Sequence, residues 1–131
     1  MDDQVRRRIL LAGAMLAGLG VALGAFGAHG LRATLDPLRL GWWETAVQYQ
    51  MWHAIGLLAI GAAPLRRVGS AAMLLSTGTG LFSGALYLMA LSDARWLGMI
   101  TPVGGALMIA GWLLLAWRLR SGSKHEDCEL R

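Results

Sequence analysis

VGSAAMLLSTGTGLFSGALYLMALS, residues 68–92, runs for 25 residues without a charge. Three more such stretches share the chain: residues 9–28 hold 20 uncharged residues, 45–63 hold 19 and 96–117 hold 22. A helix needs roughly 20 apolar residues to cross the ~30 Å hydrocarbon core of a bilayer. Helices satisfy their own backbone hydrogen bonds in lipid. Four such stretches therefore predict an all-α fold, an integral membrane four-helix bundle with helices at about 9–28, 43–63, 68–92 and 101–119. Within 131 residues this leaves one transmembrane domain, residues 1–120, and a polar tail, residues 121–131.

Charged residues make up only 15% of the chain, against about 25% in soluble domains. The net charge of +4 is therefore no sign of nucleic-acid binding. The basic residues sit at helix ends instead. Arg6, Arg7, Arg8, Arg66, Arg67, Arg118, Arg120, Lys124 and Arg131 fall on one side, nine in all, against Arg32, Arg39 and Arg95 on the other. The positive-inside rule predicts that the nine are cytoplasmic, with both termini on that side of a bacterial inner membrane. The first apolar run is longer than the ~7–15 residues of a signal-peptide core, so it is expected to remain as an anchor. Cys128, the single cysteine, falls in the polar tail and reads as a bystander thiol.

Lipid gives helices no hydrophobic reason to associate, so small residues that let backbones approach must do it. Gly13, Ala17, Gly20, Gly24 and Gly27 recur at steps of four and three, forming one stripe on the first helix. Gly80 and Gly84, with Ser76, repeat the pattern on the third helix; Gly104, Gly105 and Gly111 serve the fourth. These stripes predict packing inside the chain first, and a homo-oligomer or a membrane-protein partner second. Asp36-Pro37 reads as a helix start, with Asp36 as N-cap and Pro37 at the first helical position. Leu31, Leu35, Leu38 and Leu40 around it predict a stretch resting on the membrane surface. Trp42 and Trp43 are expected at headgroup depth. Thr101-Pro102 reads as a second capped start or as a kink in one longer helix.

The polar residues inside the spans are clustered. The second span carries Thr45, Gln48, Tyr49, Gln50 and His53; His29 ends the first; Ser83 and Tyr87 lie late in the third; Thr101 opens the fourth. At ~100° per residue, Thr45, Tyr49, His53 and Gly56 share one face of about 80°, with Gln50 at its edge. Such groups are costly in lipid unless paired. They predict either an interhelical hydrogen-bond network or a small polar pocket opening outward. His53, roughly 15 Å into the bilayer, is expected to be a neutral ring held by Tyr87 or Gln50.

His29 and His53 alone are a weak basis for a haem or metal site, and no cofactor is expected. Glu44 reads as a solvated interfacial carboxylate. No acidic residue or lysine lies deep in a span, which speaks against a proton-coupled pump and against the small multidrug exporters of similar size. No nucleophile–base constellation, phosphate loop or cysteine pair is present.

LGAFGAHGL (residues 23–31), WETAVQYQMWHA (43–54), LFSGALYLMAL (81–91) and ITPVGGALMIAGW (100–112) resemble, in order, the blocks of the YgdD-like family. These are small bacterial inner-membrane proteins whose domain has no assigned function. The resemblance implies four transmembrane helices and supplies no catalytic residues. The family's third block often reads FSGS, and here Ala85 stands at the last serine, one hydroxyl fewer. The blocks contain His29, Thr45, Tyr49, Gln50, His53, Ser83, Tyr87 and Thr101, the residues that burial cost singles out independently. The expectation is a non-enzymatic structural or accessory membrane protein with the lipid bilayer as its first partner. The alternative is a solute- or lipid-binding, permease-like protein built on the polar pocket.

Overall fold

The helix ends follow from capping chemistry. In the computed structural model, which describes the backbone of residues 1–129 and the side chains of residues 1–121, α1 spans Asp3–Phe26 behind an Asp2 cap. Its end loosens into a π-helical turn, Gly27–Leu31. The α2 helix spans Pro37–Ala62, with the Asp36 carboxylate accepting from the amides of Leu38 and Arg39, both at 3.0 Å, and Pro37 in the first turn. This start lies where the Asp-Pro pair predicts it. Of the leucine-rich stretch around it, Leu31 and Leu35 precede the cap, while Leu38 and Leu40 belong to the first turns of α2, which continues without a break into its apolar part. The α3 helix spans Gly69–Ser92 and ends on Asp93 in the left-handed region (φ 55°). A 3₁₀ turn, Arg95–Met99, leads into α4, Thr101–Glu129. Here the Ile100 carbonyl accepts from Val103 and Gly104. The Thr101 hydroxyl points back to the Leu97 carbonyl (3.4 Å) and does not cap forward. The helix runs past residue 119, into the segment expected as a polar tail. Cys128 and the side chain of Lys124 lie outside the described side chains, and Arg131 outside the described residues.

Among the described residues, three segments are long and apolar enough to cross a membrane: Asp3–Leu31, Gly69–Ser92 and Arg95–Ser121. At 26 residues α2 is long enough, but Gln48, Gln50 and His53 lower its apolar character. The expected four spans are thus three by composition plus one polar helix of matching length.

Each helix packs on its predecessor, α1 also touches α3, and among the described residues the α4 backbone approaches, of the four α-helices, α3 alone. A closed four-helix bundle would put the α1 backbone beside that of α4; among the described residues those backbones stay apart, although Ile9 and Leu115 share one apolar cluster. The cause is where the small residues lie. A Cβ on Gly104 would stand 2.5 Å from the Phe82 amide nitrogen, and one on Gly78 would stand 2.8 Å from the Gly104 carbonyl. This backbone contact binds α4 to α3. On α1, a Cβ at Gly13 would lie 3.0 Å from the Ala54 carbonyl, while Gly20, Gly24 and Gly27 make room for Met51, Val47 and Trp43 of α2. Gly80 and Gly84 correct the reading of the third helix. Nothing lies within 4 Å of a Cβ at either position, since the face that meets α4 carries Gly78.

Two arginines tie helix ends together. Arg6, in the first turns of α1, donates to the carbonyls of Gly61 (2.8 Å) and Ala62 (3.2 Å) at the end of α2. Arg39, early in α2, donates to Ala90 (2.6 Å) and Leu91 (2.7 Å) at the end of α3. The last carbonyls of a helix lack intrahelical donors and carry the negative end of its dipole, so a guanidinium there answers both.

Candidate functional site

The polar side chains of α2 and α3 meet in the seam they form with α1 and α4. Gln50 is the hub: its Nε2 donates to the Leu16 carbonyl of α1 at 2.8 Å, and its Oε1 accepts from the Tyr87 hydroxyl of α3 at 2.8 Å. One amide therefore links three helices. Gln50 is 2% exposed, so each of these bonds replaces water that the site does not admit. One turn nearer the Arg39 end, the Ser83 hydroxyl donates to the Ala46 carbonyl at 2.8 Å.

His53 forms the second node. The Trp112 indole of α4 donates to its Nε2 at 3.1 Å, and its Nδ1 lies 2.7 Å from the Tyr49 carbonyl. An indole N–H can only donate, so Nε2 is the bare nitrogen and Nδ1 carries the proton given to Tyr49. The ring is the neutral tautomer these partners require. They are Trp112 and the Tyr49 carbonyl, not Tyr87 or Gln50, because Gln50 turns toward α1 and α3. With both ring nitrogens engaged, no lone pair is free for a metal. Gly56 gives the indole its place: a Cβ there would stand 2.9 Å from the Trp112 ring.

Trp43 is a third node, 2% exposed and turned into the seam. Its indole donates to the Leu23 carbonyl at 2.9 Å, an oxygen that also accepts from the Gly27 amide just where α1 gives way to the π turn. The ring packs at 5.8 Å from Phe26 and 4.6 Å from Tyr87. Tyr87 thereby joins the Trp43 and Gln50 nodes.

Other residues of the predicted cluster stand apart. Thr45 donates back to the Gly41 carbonyl of its own helix at 2.9 Å. Thr101 does likewise to Leu97, and His29 lies exposed on the π turn. Tyr49 contributes its carbonyl, and its ring packs on Phe82 at 4.6 Å. Gln48 is exposed and lines a cavity of about 350 Å³ between α1 and α2, with Glu44 and Arg32. Among the described residues every buried side-chain nitrogen and oxygen has a hydrogen-bond partner. The buried network therefore leaves none of its own polar atoms unpaired. Trp43 and Trp112 are not marked as polar in the sequence. The available signal is that a donor-only indole inside a span needs an acceptor.

The family described as a protein of unknown function (DUF423) matches residues 23–105. A UPF0382 membrane protein of Staphylococcus haemolyticus is 47% identical over 109 residues, 81% of this chain and 89% of that protein. A UPF0382 membrane protein of Staphylococcus saprophyticus is also 47% identical over 109 residues, covering 81% and 91%. The UPF0382 inner membrane protein YgdD of Escherichia coli K12 is 42% identical over 128 residues, covering 91% of this chain and 98% of that protein. No solved structure matches the chain.

Proposed function

The chain belongs to the DUF423 family of membrane proteins, and on that premise we propose a multi-pass protein of the bacterial inner membrane, non-enzymatic, with a structural or accessory role. In this reading α2 is the fourth span, its polar face turned to the other helices, and both termini are cytoplasmic. The basic asymmetry supports the orientation. A reporter active only outside the cytoplasm should be silent after Arg131 and active when inserted near Arg39. The reverse pattern would overturn it.

The observation that carries the structural role is the closure of the network around Gln50 and His53. Catalysis and transport need polar groups free to change partners, and here each is committed to a neighbouring helix. The test is His53→Phe, which fills the volume but cannot accept from Trp112. The variant should unfold in detergent at a lower temperature than the parent. An equal or higher midpoint would contradict the reading, since polar groups kept for a ligand are often held at the expense of stability. The cavity lined by Gln48, Glu44 and Arg32 favours a second reading, a small polar solute bound between α1 and α2. Saturation binding that is lost in Gln48→Leu would mark it.

A further inference from the structure

The opposite end of the molecule carries cations of another kind. A cavity of about 500 Å³ is lined by Arg66 and Arg67 of the α2–α3 turn, Arg118 of α4, Ser70 and Asp2. Among the described residues, Arg66, Arg67 and Arg118 have no hydrogen-bond or ion-pair partner. Among the described residues Asp2 is the one acid lining the cavity; its carboxylate accepts from the Gln4 amide at the start of α1, and it forms no ion pair with any of the three. Arg67 holds a left-handed backbone (φ 57°), a conformation unfavourable for a non-glycine residue.

A second cavity of about 400 Å³ continues from the first, sharing Val5 and Gly69. It is the groove between α1 and α3, with Arg8 toward the charged end and Ile9, Ala12, Ala72 and Met73 along its walls. From Val5 to Ala12, and from Gly69 to Ser76, it follows each helix for seven residues, roughly 10 Å at ~1.5 Å per residue. Its apolar walls thus run inward from a guanidinium cluster, over much of the ~15 Å depth of one leaflet.

We propose that this composite cavity holds one anionic phospholipid, its phosphate against Arg66, Arg67 and Arg118 and the upper part of one acyl chain in the α1–α3 groove. Guanidinium groups match phosphate oxygens in planar, bidentate pairs. Basic pockets between helices at the membrane surface attract anionic headgroups. A zwitterionic lipid would bring its own ammonium group toward three arginines and be disfavoured by like-charge repulsion. The groove separates a lipid from a free phosphate ester, which has nothing to place there. The site shares no residue with the Gln50 and His53 network, so it stands whether or not that network is structural.

The experiment is native mass spectrometry of the full chain in mild detergent, titrated with phosphatidylglycerol or with phosphatidylcholine of the same acyl chains. One phosphatidylglycerol should be retained per chain, at least about tenfold more tightly than phosphatidylcholine. Arg118→Gln should weaken that retention about fivefold, and Arg66→Gln/Arg67→Gln/Arg118→Gln should bring the two lipids to parity. Ala12→Phe should weaken both lipids by filling the groove. Arg95→Gln, an exposed site at the other end, should change nothing. The unfolding midpoint of each variant, measured in lipid-free detergent, identifies any that misfold. Should Ala12→Phe do so, the arginine variants decide alone. Equal retention of the two lipids by the parent overturns the proposal. So does an equal loss on Arg95→Gln, which would mean diffuse attraction, or displacement of the lipid by soluble glycerol phosphate at equal concentration, which would mean a headgroup-only anion site.

Discussion

The two ends of the molecule treat polar groups in opposite ways. Toward the Arg39 end, the polar side chains turned into the seam are answered within the chain. Gln50 bridges Leu16 and Tyr87, Ser83 reaches Ala46, and Arg39 closes the last carbonyls of α3. At the other end Arg6 is answered in the same manner, yet Arg66, Arg67 and Arg118 line an open cavity without partners among the described residues. The same side chain thus has two uses. An arginine in the first turns of a helix can lie beside the finished end of its neighbour, where carbonyls lack donors. Arg66 and Arg67 in the α2–α3 turn, and Arg118 on α4, have no such acceptors among the described residues.

Five substitutions test that contrast, from the largest expected effect to the smallest. Gly104→Leu should be the most damaging, because its side chain must enter the space of the Phe82 backbone. A loss of about 3 kcal/mol or more is expected, toward the upper end of overpacking costs. A midpoint within a degree of the parent in detergent unfolding would mean that α4 does not sit on α3 as described.

Gln50→Leu should come next. It removes two bonds and leaves the Tyr87 hydroxyl and the Leu16 carbonyl without their partner, at about 2 kcal/mol. Denaturant unfolding that shows no loss would move Gln50 from the closed end to the open one.

Arg39→Gln should cost about 1 kcal/mol, since the shorter neutral amide loses the charge at the α3 dipole. Arg66→Gln, measured in lipid-free detergent, should fall within about 0.5 kcal/mol of the parent. Equal losses for both would erase the distinction between clasping and cavity-lining arginines.

Arg67→Gly should give a small change of the opposite sign. Relief of the left-handed backbone offers a gain of a few tenths to about 1 kcal/mol, offset by the entropy of a freer unfolded chain. A loss above about 1 kcal/mol would show that the Arg67 side chain already has a structural partner.

Much of this was legible from the residues. The Asp36-Pro37 start, the α1 glycine stripe and the polar identities of Gln50, His53, Ser83 and Tyr87 follow from capping, periodicity and burial cost. What escaped has one physical root. In a soluble protein the core face and the outer face of a helix differ in polarity, but in lipid both are apolar. The sequence of α3 therefore does not say that Gly78 meets α4 while Gly80 and Gly84 look outward. Nor does it say that Trp43 lies inside the seam, because its indole suits a headgroup region equally well. The link between Trp112 and His53 spans 59 positions and depends on helix rotation, which hydropathy leaves undetermined. Arg6 and Arg39 were legible as charges that orient the chain, and their carbonyl partners appear only once neighbouring helices lie side by side.

The central claim is that polar side chains in the seam are bonded to one another for stability. A double-mutant cycle on Gln50 and Tyr87 tests it most directly, using the parent, Gln50→Leu, Tyr87→Phe and the double variant unfolded in the same detergent. A favourable coupling of about 0.6–1.7 kcal/mol is expected, the range for hydrogen bonds between transmembrane helices. Zero coupling, or single variants more stable than the parent, would contradict the account.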